Sequence, residues 1–139
     1  MTPSSGDDVL LDTHALHWWL NEPGRLSGPA AAAIDDARTA LVSPISMWEM
    51  GMLTKKGRLV VSDAPLPAWL RALRDHPKVA ITPFAAEIAL DAGLIDGLDG
   101  DPADRLLVAT ARAYRVPLVT KDSRLHDFAK ATRFIATLW

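Results

Sequence analysis

Four acidic residues that lie far apart in the chain are the residues best suited to do chemistry: Asp12, Glu49, Asp104 and Asp122. Each adjoins an apolar segment, where a charge is costly unless it is paired or binds a metal ion. Carboxylate oxygens suit hard cations such as Mg²⁺ and Mn²⁺. Such an ion activates water and polarises a phosphoryl oxygen. If folding brings the four acids together, the chemistry they predict is phosphodiester hydrolysis.

The elements that must position these acids follow from the alternation of short apolar runs with longer helical patterns. The chain of 139 residues predicts one α/β domain over residues 9–139, preceded by a flexible tail over residues 1–8. Strands separated by helices predict a mainly parallel sheet of four to five strands with helices on both faces. The predicted strands are 9–12, 40–43, 79–81, 117–120 and 134–136; the predicted helices are 14–21, one capped by Ser27, one capped by Ser46 and stopped by Gly57, 68–75, 85–94 and 102–114.

This topology delivers the four acids to one edge of the sheet. Asp12 and Asp122 lie at, or just beyond, the carboxyl ends of predicted strands, where open parallel sheets bind their ligands. Asp104 lies in the first turn of a helix, and Glu49 lies one turn into another. A metal site built from these four residues is therefore expected at this edge.

Neighbouring polar residues are candidates for contacts with the substrate phosphate. Thr13 and Thr120 offer hydroxyl groups that could hold a water molecule or a phosphate oxygen. Arg105 and Lys121 offer positive charges that could clamp the phosphate.

Each of these assignments has a purely structural alternative. Asp101 is an ordinary N-cap for the helix that starts at Pro102, or an accessory acid of the site. Glu49 has the capping-box spacing to Ser46. Asp122 could be a turn former. His14 and His17 lack a third ligand at zinc spacing, so packing or surface exposure is expected for them.

Composition sets wider bounds. The net charge of −2 argues against a strongly cationic nucleic-acid binder, but a metal-binding acid cluster itself contributes several negative charges. The absence of cysteine excludes thiolate zinc sites and suits a reducing cytoplasm, which is the expected location. No apolar run approaches the roughly 20 residues of a membrane span, and the first residues do not read as a signal peptide.

Four segments in this order resemble one known family. They are residues 10–19 (LLDTHALHWW), 46–50 (SMWEM), 101–111 (DPADRLLVATA) and 118–122 (LVTKD). Together they resemble PIN-domain proteins, and more narrowly the VapC-type toxins of bacterial toxin–antitoxin pairs, over nearly the whole chain from residue 9.

The resemblance implies a PIN-like α/β/α sandwich and an endoribonuclease that needs Mg²⁺ or Mn²⁺ and cleaves transfer or ribosomal RNA. The family's acidic quartet corresponds to Asp12, Glu49, Asp104 and Asp122, with Asp101 as an accessory acid. It also implies a homodimer, neutralised by a cognate antitoxin whose C-terminal segment covers the catalytic cleft. The apolar residues of the first two helices (Leu16, Trp18, Trp19 and 30–34) are either core or this dimer interface.

One departure from the family pattern precedes Asp101, where Asp99 and Gly100 replace the histidine-arginine pair of many relatives. Two other functions stay open at this stage: a PIN-type nuclease of RNA maturation or decay, and a catalytically silent module that docks a basic partner segment in its acidic cleft.

Overall fold

A five-stranded sheet forms the centre of the molecule in the computed structural model, which describes residues 7–60 and 63–139. Its strands run in the order β3-β2-β1-β4-β5, and all four neighbouring pairs are parallel. Such a sheet needs helical crossovers, which place helices on its faces. The strands are β1 (Asp8–Leu11), β2 (Thr39–Val42), β3 (Val79–Ile81), β4 (Leu118–Val119) and β5 (Thr137–Leu138).

Helices cover both faces of the sheet. In the described residues they are α1 (Thr13–Asn21), α2 (Gly28–Asp36), α3 (Pro44–Lys55), α4 (Leu66–Asp75), α5 (Ala86–Leu94), α6 (Pro102–Tyr114) and α7 (Ser123–Thr132), with a short 3₁₀-helix at Pro23–Arg25. Within the same residues, no helix has the length and apolar character that a membrane crossing requires.

The core consists of two apolar layers, one on each face of the sheet. Leu10 and Leu118 point to the layer shared with α5, α6 and α7, whereas Val9, Leu11 and Val119 point to the layer shared with α1 and α2. This alternation is the period of two that a strand imposes on its side chains. The predicted α/β/α sandwich with a mainly parallel sheet is confirmed.

Most predicted elements lie where the sequence pattern indicated. The strand Val79–Ile81 and the helix Pro102–Tyr114 have the predicted bounds. The last strand lies at Thr137–Leu138 and not at 134–136, because the Phe134 ring packs edge-on against Phe128, 5.9 Å away between ring centroids. Helix α7 was not predicted.

The predicted cap of α3 was wrong. Ser43, not Ser46, caps this helix: its hydroxyl accepts the backbone N–H of Ile45 at 3.1 Å. Pro44 follows at the first helical position, where its fixed φ favours helix initiation. Ser46 lies fully buried inside the helix, so it does not form a capping box with Glu49.

Two other expectations concern the beginning of the chain. Residues 1–6 of the predicted tail lie outside the described residues, and Asp8 belongs to β1, where it is buried. Of the apolar residues of α1 and α2, Leu16, Trp18, Ala30 and Ile34 are buried in the core, whereas Ala31 and Ala32 are exposed.

Candidate active site

The candidate site lies where the strand order changes direction. Strand β1 is followed in sequence by β2 and β3 on one side, whereas β4 and β5 lie on its other side. Ligands of open parallel sheets bind at such a switch point, beyond the carboxyl ends of the strands. Asp12 directly follows β1, and its backbone N–H donates to the Val119 carbonyl of β4 at 3.1 Å. The first candidate acid is thus fixed at the switch.

All five predicted acids line one cleft of about 520 Å³ at this edge: Asp12, Glu49, Asp101, Asp104 and Asp122. They come from four helical segments that follow different strands, so only the folded sheet brings them together.

Three of the acids also cap helices. The Asp12 Oδ1 atom accepts the Ala15 N–H at 2.7 Å at the start of α1. Asp101 caps α6 and Asp122 caps α7 in the same way, at 3.0 and 2.9 Å. Capping occupies Oδ1 and leaves the second carboxylate oxygen for another partner. The structural and functional alternatives for Asp101 are therefore compatible, since it caps α6 and lines the cleft.

Glu49 is oriented by hydroxyl groups. The Thr13 hydroxyl donates to Glu49 Oε1 at 2.6 Å and lies 3.0 Å from the Ser46 hydroxyl. Thr13 and Ser46 are both buried, so this network ties the first turn of α1 to the interior of α3. It holds the Glu49 carboxylate in a fixed position at the cleft wall.

Thr120 links the acids of two neighbouring strands. Its hydroxyl hydrogen bonds to the Asp12 carboxylate and accepts the Asp122 N–H at 3.1 Å. Thr120 is completely buried and does not line the cleft. It therefore orients Asp12 and Asp122 from beneath the cleft, whereas the sequence predicted a hydroxyl that faces the phosphate.

Replacing Thr120 by valine is expected to weaken Mn²⁺ binding by on the order of tenfold to a hundredfold, the usual cost of losing a residue that orients metal ligands. Valine keeps the shape of the buried side chain but cannot hydrogen bond to Asp12. Isothermal titration with Mn²⁺ measures the effect. The control is Thr82→Val, since Thr82 is also buried at this edge and its hydroxyl donates to the Val42 carbonyl, at 3.5 Å, and not to an acid of the cleft. Equal affinities of the two variants would contradict the role of Thr120.

Burial raises the pKa values of three of the acids. The pKa of Asp12 and the pKa of Glu49 lie above their ordinary values because both carboxyl groups lose water, although hydrogen bonds from Thr120 and Thr13 oppose the shift. Burial, assisted by the negative charge of Asp101, raises the pKa of Asp104 to about 6. Three acids held together against this cost fit a cation-binding site with hard oxygen ligands.

Arg124 is the functional candidate that the sequence analysis missed. Its Nη2 atom donates to Asp104 Oδ2 at 2.8 Å and to Asp122 Oδ2 at 2.9 Å. These contacts hold the pKa of Asp122 below its ordinary value. Within residues 7–60 and 63–139, no three His, Asp or Glu side chains are grouped closely enough to hold a metal ion as they stand. In this structure the Arg124 guanidinium is the cation that Asp104 and Asp122 bind.

The predicted phosphate contacts divide into two groups. Thr13 and Lys121 line the cleft, and Lys121 Nζ lies 5.7 Å from the centroid of the Trp18 ring. Arg105 lies elsewhere, in a groove between α5 and α6, where its Nε atom donates to no acceptor in the described part of the chain. The structure therefore does not bring Arg105 to the acids.

The two histidines of α1 face different surroundings. His17 is buried as expected and contacts Asn21 and Glu22. His14 is exposed, which is one of the two settings expected for it, and it also lines the acidic cleft. The sequence signal for this position is that His14 lies two residues after Asp12, the acid that ends the first predicted strand.

The backbone conformation of the loop before α6 explains why residue 100 is a glycine. Gly100 has a φ of +98°, a backbone conformation that side chains disfavour. The residue that follows, Asp101, then turns into its cap position. The departure from the family pattern at residue 100 thus has a local backbone reason.

Comparison with known proteins gives one family and several similar structures. The family model for the PIN domain matches residues 9–131. Ribonuclease VapC22 of Mycobacterium tuberculosis is 43% identical over 120 residues, which is 86% of this chain and 90% of that protein.

Solved structures share the fold at low sequence identity. VapBC2 from Rickettsia felis, bound to a DNA fragment from its promoter, superposes with a TM-score of 0.63 at 16% identity, covering 94% of this chain and 96% of that one. A toxin–antitoxin complex from Klebsiella pneumoniae gives 0.61 at 19% identity, over 93% and 96% of the two chains. FitAcB from Neisseria gonorrhoeae gives 0.54 at 18% identity, over 93% and 95%.

Proposed function

Because this chain belongs to the PIN-domain family and, within it, to the VapC type, we propose that it is a metal-dependent endoribonuclease and the toxin of a toxin–antitoxin pair. The observation that carries the proposal is the single cleft lined by five carboxylates at the switch point of the sheet. The similarity to a ribonuclease that is matched over 90% of its length supports RNA as the substrate.

In this proposal Asp12, Glu49, Asp104 and Asp122 hold the metal, and Asp101 is an accessory acid. Mg²⁺ or Mn²⁺ supplies, when bound, an activated water and a counter-charge for phosphoryl oxygens. The raised pKa values of three of these acids support a cation as the partner that the site needs.

The remaining residues of the site orient the acids or attract the RNA. Thr13 and Thr120 hold Glu49 and Asp12 in place. Lys121 and Trp18 line the cleft, and Arg25 lies over the Trp18 ring, with its Cζ atom 5.0 Å from the ring centroid. Positive side chains at the rim attract the phosphate backbone of RNA toward a cleft whose floor is acidic. Transfer or ribosomal RNA remains the proposed target class.

An antitoxin is the proposed protein partner. Structural neighbours with this fold were solved as toxin–antitoxin complexes. An acidic cleft favours a basic segment of the partner through charge complementarity. We propose that such a segment covers the cleft and competes with the metal and the RNA, in a cytoplasmic complex.

A homodimer is proposed on exposed apolar side chains of α3, of α5 and of the segment that precedes α5. Leu90 and Leu94 are one turn apart on α5 and are 68% and 72% exposed. Trp48 and Phe84 are 59% and 51% exposed and line an apolar cavity of about 470 Å³. Exposed apolar surface of this kind marks an interaction site.

Replacing both Leu90 and Leu94 by aspartate is expected to convert the dimer to a monomer, since two buried charges at an apolar interface cost several kcal/mol. Light scattering after size exclusion at micromolar concentration measures the mass. Val60→Asp is the control, because Val60 is 77% exposed but lies in the loop after α3. A monomeric wild-type protein would rule out this interface.

The function itself is tested with purified, antitoxin-free protein and total cellular RNA in Mg²⁺, in Mn²⁺ and in EDTA. Discrete fragments are expected with either metal and none with EDTA. Sequencing of the fragment ends then identifies the target. A folded protein that cleaves in none of these conditions would favour the alternative of a binding module.

A further inference from the structure

Arg124 binds two acids that come from the starts of different helices. Asp104 belongs to α6 and Asp122 caps α7, and the Nη2 atom of Arg124 donates to one oxygen of each, at 2.8 and 2.9 Å. The Arg124 Nε atom also lies 3.4 Å from Asp122 Oδ1. One guanidinium thus bridges carboxylates that are 18 positions apart in the chain.

The oxygens that Arg124 uses are those that a metal would need. Asp122 Oδ1 already accepts the N–H at the start of α7, so Oδ2 is its remaining oxygen for a cation. A metal ion and the Arg124 guanidinium are both positively charged. They would repel each other if both contacted the Oδ2 atoms of Asp104 and Asp122. Binding of one therefore opposes binding of the other.

The position of Arg124 allows it to leave. Its side chain is 60% exposed, whereas the side chains of Asp104 and Asp122 are 14% and 31% exposed. A salt bridge whose cation is exposed to solvent stabilises the pair only weakly. A divalent ion can displace such a side chain.

We propose that Arg124 is a built-in cation that competes with the catalytic metal for Asp104 and Asp122 and that, once displaced, binds a phosphate of the RNA. This inference rests on the proposed function. The guanidinium suits the second role because its planar N–H groups match two phosphate oxygens, and it would remain tethered at the cleft that it lines. Arg124 would therefore weaken metal binding and strengthen RNA binding.

The test separates metal affinity from activity. Mn²⁺ binding is measured by isothermal titration on metal-stripped wild-type protein, on Arg124→Gln and on Lys130→Gln. Lys130 is the matched control, since it is an exposed cation near the other end of α7 and does not line the cleft. Removal of the competing charge should tighten Mn²⁺ binding of Arg124→Gln by about fivefold, whereas Lys130→Gln should match the wild type.

The second measurement is RNA binding and single-turnover cleavage at saturating Mn²⁺. Arg124→Gln should bind RNA more weakly and cleave it slower by on the order of tenfold, because it lacks a charged phosphate contact. Equal Mn²⁺ affinity of Arg124→Gln and wild type would overturn the competition, and unchanged RNA binding would overturn the second role. Wild-type protein that binds no Mn²⁺ would instead overturn the proposed function, and the inference with it.

Discussion

An Asp12→Asn protein is expected to cleave RNA on the order of a hundredfold to a thousandfold more slowly than the wild type while it unfolds at nearly the same temperature. Asparagine removes the negative charge that a metal requires. It keeps the oxygen that accepts the Ala15 N–H, and asparagine caps helices as well as aspartate does. Activity and stability should therefore separate at this position.

The measurement combines fragment yield from a defined RNA with thermal unfolding of each variant. Asp127→Asn serves as the control, because Asp127 is an exposed acid of α7 that does not line the cleft. It should leave both cleavage and unfolding temperature unchanged. Retained cleavage by Asp12→Asn would exclude Asp12 from the site, and a collapse of its unfolding temperature would mean that its role is structural.

The acids could be predicted from the sequence because each has a local signal. Asp12 ends an apolar strand, and Asp104 lies three residues after Asp101 at the start of a clear helix. In a parallel sheet these local positions determine the edge at which the side chains meet. The hydrogen-bonding roles of Thr13 and Thr120 could not be predicted, because they depend on distances between elements.

The misplaced residues have equally specific causes. Arg105 follows Asp104 directly, and successive residues of a helix point about 100° apart, so the two side chains cannot both face the cleft. Arg124 was missed because it lies in α7, a helix that was not predicted, and because its partner Asp104 is 20 residues away. The salt bridge between Arg124 and Asp104 exists only in the folded arrangement.

The helix caps show why structural and functional interpretations of an acid need not compete. Asp12, Asp101 and Asp122 each satisfy N–H groups at the start of a helix with one oxygen. The sheet points these helix starts toward one edge, so the second oxygens line a common cleft. A capping hydrogen bond therefore holds the carboxylate in the fixed orientation that a metal site requires.

Asp104→Asn and Asp122→Asn are expected to change stability in opposite directions when metal is removed with EDTA. The pKa of Asp104 rises from 3.8 to about 6 on folding, so its protonated form favours the folded state below pH 3.8 and this contribution is lost as the pH rises to about 6. Above that pH the charged carboxylate opposes folding, and the neutral amide of Asp104→Asn, which can still accept from Arg124, removes the cost. The unfolding free energy of this variant should exceed that of the wild type by about 1 to 3 kcal/mol at pH 7.5.

The stability change of Asp122→Asn has the opposite sign because hydrogen bonds from Arg124 lower the pKa of Asp122. Its charged form stabilises the fold above pH 3.8, and this contribution is lost as the pH falls through its lowered pKa. Asp122→Asn should therefore be less stable than the wild type at pH 7.5, although asparagine keeps the cap of α7. Urea unfolding in EDTA between pH 4 and pH 8 measures both differences, and Mg²⁺ should stabilise only the wild type, since each variant has lost a ligand. Stability changes of the same sign in the two variants would contradict this electrostatic arrangement, because the charged form of Asp104 destabilises the fold whereas the charged form of Asp122 stabilises it.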